Sequence, residues 1–163
     1  MRIVKSLLVC CFLFLVTIAY SQEIKKVKIT EVEKMIVESK TPLLVNVWAT
    51  WCGPCLEELP YFQKEVKEHN KDSVQLLLVS LDFKEAFPKG IKKFVAKKKI
   101  AAPVVWLDET DADYFCPKID AQWSGAIPAT LFINNKTGYR KFIEGKISHE
   151  ELKKEIMAML EIH

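Results

Sequence analysis

The run Trp51-Cys52-Gly53-Pro54-Cys55 constrains this chain more than any other stretch of it. Two cysteines only three positions apart close too short a loop to stabilise a fold by removing chain entropy. Their spacing suits a reactive pair better than a staple. What flanks them says where in a fold they stand. Leu43-Leu44-Val45-Asn46-Val47-Trp48 is a compact apolar run without helical period, as expected of a strand covered on both faces. Beyond Cys52, the spacing of Leu59, Phe62 and Val66 predicts a helix, which Pro60 is expected to kink. The cysteine pair therefore sits at a strand-to-helix corner.

That corner has chemical consequences. Cys52 falls at a helix N-terminus, where unpaired backbone N–H groups and the positive end of the helix dipole stabilise a thiolate. Cys55 lies one turn inward, within reach of Cys52 but less open to water. Cys52 is thus expected to attack a disulfide and Cys55 to resolve the mixed disulfide that results. Gly53 and Pro54 are expected to keep the turn tight, with Pro54 suited to the first helical turn. The competing reading, half of a zinc site, needs two more Cys or His ligands at workable spacing. Cys116, His69, His149 and His163 form no second paired motif, so no metal and no separate cofactor is expected.

The first 21 residues stand apart. Arg2 and Lys5 precede an apolar stretch from Leu7 to Ala19, and Ala19-Tyr20-Ser21 gives a small-x-small cleavage pattern. Residues 1–21 therefore read as a signal peptide and 22–163 as one exported domain, with an uncleaved anchor at 7–19 as the alternative. Cys10 and Cys11 are taken as leader residues. Without Arg2 and Lys5, 22 basic residues face 21 acidic ones, a balance that does not call for nucleic acid. Half the residues are apolar, ample for a buried core.

Along the domain, Thr30 and Glu33 suggest a capping box for a helix over about 31–39. Residues 74–81 read as a buried strand. Phe87, Ile91, Phe94 and Val95 mark an amphipathic helix, and 104–107 a further strand. Residues 112–119 suit a short helix or turn. Residues 129–133 and 139–144 form a hairpin across Asn134 to Gly138, and Ser148 with Glu151 caps a terminal helix. Alternation of this kind predicts an α/β layer with helices on both faces of a mixed sheet.

Val47-Trp48-Ala49-Thr50-Trp51-Cys52-Gly53-Pro54-Cys55 resembles the thioredoxin-like superfamily, in particular its exported TlpA/ResA-type thiol–disulfide oxidoreductases. Pro60 matches that family's helix proline, and Ala126-Ile127-Pro128-Ala129-Thr130 its cis-proline segment. The resemblance implies a thioredoxin fold with an extra helix–strand insertion at about 84–107 and a cis Ile127–Pro128 bond. It also implies a client surface formed by Trp51, Gly53, Pro54, Ile127 and Pro128. Asn46 stands where thioredoxin carries a buried proton-relaying aspartate; Glu58 matches a glutamate that takes part in ResA-type proteins and is the candidate proton relay. A solvated helix acid like Glu57 is the other reading of Glu58.

The function so implied is reduction of protein disulfides outside the cytoplasm, in the periplasm if the source is Gram-negative. A membrane thiol carrier would supply electrons, apocytochrome c is the client the family suggests, and a monomer is expected. The alternatives are a disulfide oxidase or isomerase, and a thiol peroxidase of the peroxiredoxin-related group. The peroxidase reading lacks the Pro-x-x-x-Thr-x-x-Cys setting at Cys52. Among the remaining candidates, Cys116 reads as a buried, inert thiol, with a third redox cysteine or one that pairs with a partner as the alternative, and Trp48 reads as core. Trp123, Ser124 and Gly125 suit either packing or the rim of the client groove. His69 and His149 read as surface residues, and the lysines at 89, 92, 93 and 97–99 as a solvated helix face rather than a docking patch.

Overall fold

A computed structural model describes residues 22–161, so the proposed leader lies outside the described residues. In chain order the elements are β1 (Lys25–Val27), α1 (Ile29–Glu38), β2 (Leu43–Trp48), α2 (Gly53–Glu68) and β3 (Gln75–Ser80). Next come α3 (Lys89–Lys98), β4 (Val104–Leu107) and α4 (Ala112–Ile119). The chain ends in β5 (Ala129–Asn134), β6 (Tyr139–Glu144) and α5 (His149–Leu160). One six-stranded sheet runs β1-β4-β3-β2-β5-β6. Its first four strands are parallel; β5 lies antiparallel to β2, and β6 antiparallel to β5. The mixed α/β layer is the one expected, and α3 with β4 supplies the insertion. No helix among the described residues is long and apolar enough to cross a membrane.

The sheet's two faces carry separate cores. Period-two alternation sends Leu44 and Trp48 to the face packed by Phe62 of α2, Ile91 and Val95 of α3, and Ile156 of α5. Val45 and Val47 go to the opposite face, under Val32 of α1 and Ile119 of α4. Asn46, between Leu44 and Trp48 in this alternation, is thereby aimed at the face that α2 covers. It is the single polar residue in β2 and is fully buried. Each large apolar chain buried in this way stabilises the fold by roughly 1.5–3 kcal/mol.

Helix α1 departs from expectation. It starts at Ile29, and Glu31 rather than Glu33 closes the box, accepting the Lys28 N–H at 2.7 Å. The cause is burial: Ile29 is wholly enclosed while Thr30 is exposed, so the chain must turn directly after β1. Glu109 then accepts the Ile29 N–H at 3.2 Å and satisfies one of the helix's open donors. The cap of α5 is as expected, with the Ser148 hydroxyl accepting the Glu151 N–H at 3.1 Å.

Candidate active site

The reactive corner forms where β2 ends. Cys52 is the N-cap of α2 in extended backbone, and its sulfur accepts the Cys55 N–H at 3.3 Å. The two cysteines are joined as a disulfide with their Cα atoms 5.3 Å apart. Cys52 is 5% exposed and Cys55 not at all, so the outer sulfur is the one a client meets. Pro54 occupies the first helical turn, where a missing N–H costs nothing. Gly53 is not required by crowding, since an added Cβ would meet nothing within 4 Å. What it leaves beside the disulfide is open space.

Two further segments reach this end of the sheet. The register pairs Val47 with Ala129, so Pro128, just before β5, lies level with the end of β2. The Ile127–Pro128 bond is cis, as the resemblance implied. Pro128 is buried and its carbonyl accepts the Gly145 N–H at 2.8 Å, while Ile127 stays partly open. From the end of β3 comes Asp82, a buried carboxylate that no motif or spacing singles out. It accepts the Thr50 N–H through both oxygens at 3.1 Å and the Thr50 hydroxyl at 2.5 Å. Trp51 is exposed and stacks on Phe83.

One turn along α2 from Cys55 lies Glu58. The solvated-acid reading fails here, because Glu58 is fully buried whereas Glu57, its neighbour, is exposed and paired with Lys146. Asn46 Nδ2 donates to Glu58 Oε1 at 2.8 Å and to Thr130 Oγ1 at 3.0 Å, and the Ile147 N–H donates to Glu58 Oε2 at 3.3 Å. Burial pushes the Glu58 carboxyl up to about 7, with Asn46, the Ile147 N–H and Lys146 pulling the other way. Asn46 Oδ1 and Trp48 Nε1 have no hydrogen-bond partner among the described residues. A buried carboxyl held by neutral donors near pH 7, one turn from Cys55, is a group that can accept and return a proton.

Other sequence candidates fall outside the site. Cys116 is a buried unpaired thiol that burial, with Asp113 and Glu144, pushes up to about 11. Its sulfur lies 3.6 Å from where a Cβ at Gly125 would sit, an ordinary contact, so it is the φ of +94° that favours glycine there. Trp123 is core, edge-on to Phe115, with its indole N–H bonded to the Ala126 carbonyl at 2.8 Å. Ser124 binds Glu144, a contact that holds the exposed carboxyl below its usual range. His149 is not a bare surface residue: its Nε2 lies 2.5 Å from the buried Glu65 and its ring stacks on Tyr61. His69 pairs with Asp72 at 3.0 Å. The lysines of α3 are exposed, as a solvated face requires.

Comparison with known proteins gives a consistent picture. Residues 16–138 match the model of the AhpC/TSA family. The chain is 28% identical over 115 residues to the thiol-disulfide oxidoreductase ResA of Geobacillus thermodenitrificans, covering 70% of this chain and 60% of that protein. It is 31% identical over 113 residues to the sporulation thiol-disulfide oxidoreductase A of Bacillus subtilis, covering 68% and 63%. The chain thus spans under two thirds of these relatives' own lengths. The crystal structure of StoA from Bacillus subtilis superposes with a TM-score of 0.56 at 28% identity, covering 73% of this chain and 84% of that one.

Proposed function

The chain belongs to the AhpC/TSA family, and on that premise we propose that it is a thiol–disulfide oxidoreductase that reduces protein disulfides through Cys52 and Cys55. The observation that carries this reading is the disulfide at the N-terminus of α2, with Cys52 slightly exposed, Cys55 fully enclosed and the buried Glu58 carboxyl one turn further along the helix. In the reduced form, the Cys52 thiolate attacks one sulfur of a client disulfide. The client S–S bond breaks, one client sulfur leaves as thiolate, and the other stays bonded to Cys52. Glu58 then takes the proton of Cys55, whose thiolate attacks Cys52 and releases the second client sulfur. Two electrons pass to the client, and Cys52–Cys55 closes. The two sulfurs carry those electrons themselves, so the cycle calls on no other cofactor.

The finer assignments rest on residues and relatives. Arg2, Lys5 and the apolar stretch 7–19 support export, in which case a membrane thiol carrier must recharge the pair. Relatives named thiol-disulfide oxidoreductase support protein thiols as clients. The family resemblance suggests apocytochrome c as a client, and the expected state is a monomer. Peroxide turnover is the weaker reading, since Ala49, not threonine, stands three before Cys52. Dithiol-driven reduction of insulin tests the proposal. The protein should accelerate precipitation of the insulin B chain, and Cys52→Ser should abolish the effect; a Cys52→Ser variant as fast as its parent would remove the proposal.

A further inference from the structure

Trp51 and Phe83 are 56% and 69% exposed, and their rings stack with centroids 5.8 Å apart and planes 19° from parallel. Single exposed apolar side chains are ordinary. Two that face each other beside a reactive bond, held from below, need a reason. The hold is polar and buried. Thr50 and Asp82, the residues immediately before Trp51 and Phe83, are tied together by the three hydrogen bonds that Asp82 accepts from Thr50. Ser80 donates a fourth bond to Asp82 at 2.7 Å, and the Trp106 indole N–H fixes the Asp82 carbonyl at 2.7 Å. Both loops are therefore set before anything binds, and little ordering entropy remains to be lost on contact.

The geometry points to an aromatic ledge that selects client segments carrying an apolar or aromatic side chain next to the reacting cysteine, with Phe83 as the specificity-determining residue. The inference rests on the exchange reading. A client sulfur must come within bonding distance of Cys52, and Trp51 is the adjoining residue. Consecutive Cα atoms are about 3.8 Å apart, so a side chain flanking the client cysteine is carried over the ledge. An apolar flank there loses water on both partners and gains aromatic contact. A polar flank is desolvated against two ring faces, and the pair carries a single polar hydrogen, the Trp51 indole N–H, to offer it. Trp51 supplies the side of the ledge fixed to Cys52, and Phe83, from the β3–α3 connection, extends it outward.

The test uses two peptides, each closed by one disulfide and identical except that the reacting cysteine is flanked by Trp in one and by Ser in the other. The ratio of kcat/KM for their reduction by the dithiol-recycled full chain is the readout. An aromatic contact of ordinary strength makes the parent favour the Trp peptide about fivefold to tenfold. Phe83→Ala should bring that ratio to about twofold or less, with Phe83→Leu between the two. Thr50→Val, which cuts the hydroxyl bond to Asp82, should erode it through the looser ledge. Equal rates on both peptides for the parent, or a Phe83→Ala variant that keeps the parent's ratio, would overturn the ledge. Reduction of neither peptide by the parent would remove the exchange reading itself, and the ledge with it.

Discussion

Helix α2 buries two carboxylates seven residues apart, Glu58 and Glu65, and gives them opposite company. Among the described residues, the donors within hydrogen-bonding distance of Glu58 are both uncharged, Asn46 Nδ2 and the Ile147 N–H. Glu65 meets His149 at 2.5 Å and Lys153 at 3.7 Å, both reaching in from α5. A buried acid with a cationic partner is a structural tie. One with neutral partners keeps its proton until near pH 7 and can trade it with a thiol. The same residue type on the same helix thus ties down α5 at one end and sits among neutral donors, one turn from Cys55, at the other.

The largest effect should come from Glu58→Gln. With no acceptor for the Cys55 proton, insulin reduction at pH 8 should fall about a hundredfold and its pH profile should lose the step near 7. Stability should move the other way. The folded state holds a proton that the unfolded chain releases near 4.5, so the parent is most stable below that pH and loses stability as pH rises through about 7. That loss is on the order of 3 kcal/mol by pH 8, and Glu58→Gln escapes it. Urea melts at pH 5 and pH 8 read the crossover. Next is His149→Ala, which leaves Glu65 only the partly exposed Lys153. It should cost about 1–2 kcal/mol in a urea melt. The step near pH 7 should stay, and a displaced step would show that the two ends of α2 are coupled. Smallest is Asn46→Leu, which removes a donor from Glu58 and should raise the step by about one pH unit. A step that does not move would mean that Asn46 does not hold the carboxylate.

The contrast between these acids also marks what the sequence made legible. The corner itself was plain, because a Cys-x-x-Cys between an apolar run and a helical pattern has few other homes. The sheet followed from alternation of periods, and the insertion over about 84–107 from the family resemblance. Glu57 and Glu58 are indistinguishable by composition, yet helical phase separates them. Glu58 shares the face of Cys55 and Phe62, and Glu65 continues it. The same phase therefore marks Glu65 as buried, although nothing in the sequence names its partners. His149 could not be placed this way, since its partner lies 84 residues off and only the packing of α5 on α2 brings them together. Phe83 carried no signal either. An apolar residue just past a strand reads as core, and only the Asp82–Thr50 bonds turn it outward beside Trp51. The start of α1 slipped because the need to bury Ile29 outweighed the capping preference of Thr30.

Trapping the intermediate tests the central claim most directly. In Cys55→Ala the resolving sulfur is gone, so a client attacked by Cys52 should remain attached. Incubation of the reduced variant with a disulfide-closed peptide, followed by peptide mapping under non-reducing conditions, should find the adduct on Cys52. An adduct on Cys116 instead, or no covalent species while the parent reduces the same peptide, would contradict the assignment of Cys52 as the attacking sulfur.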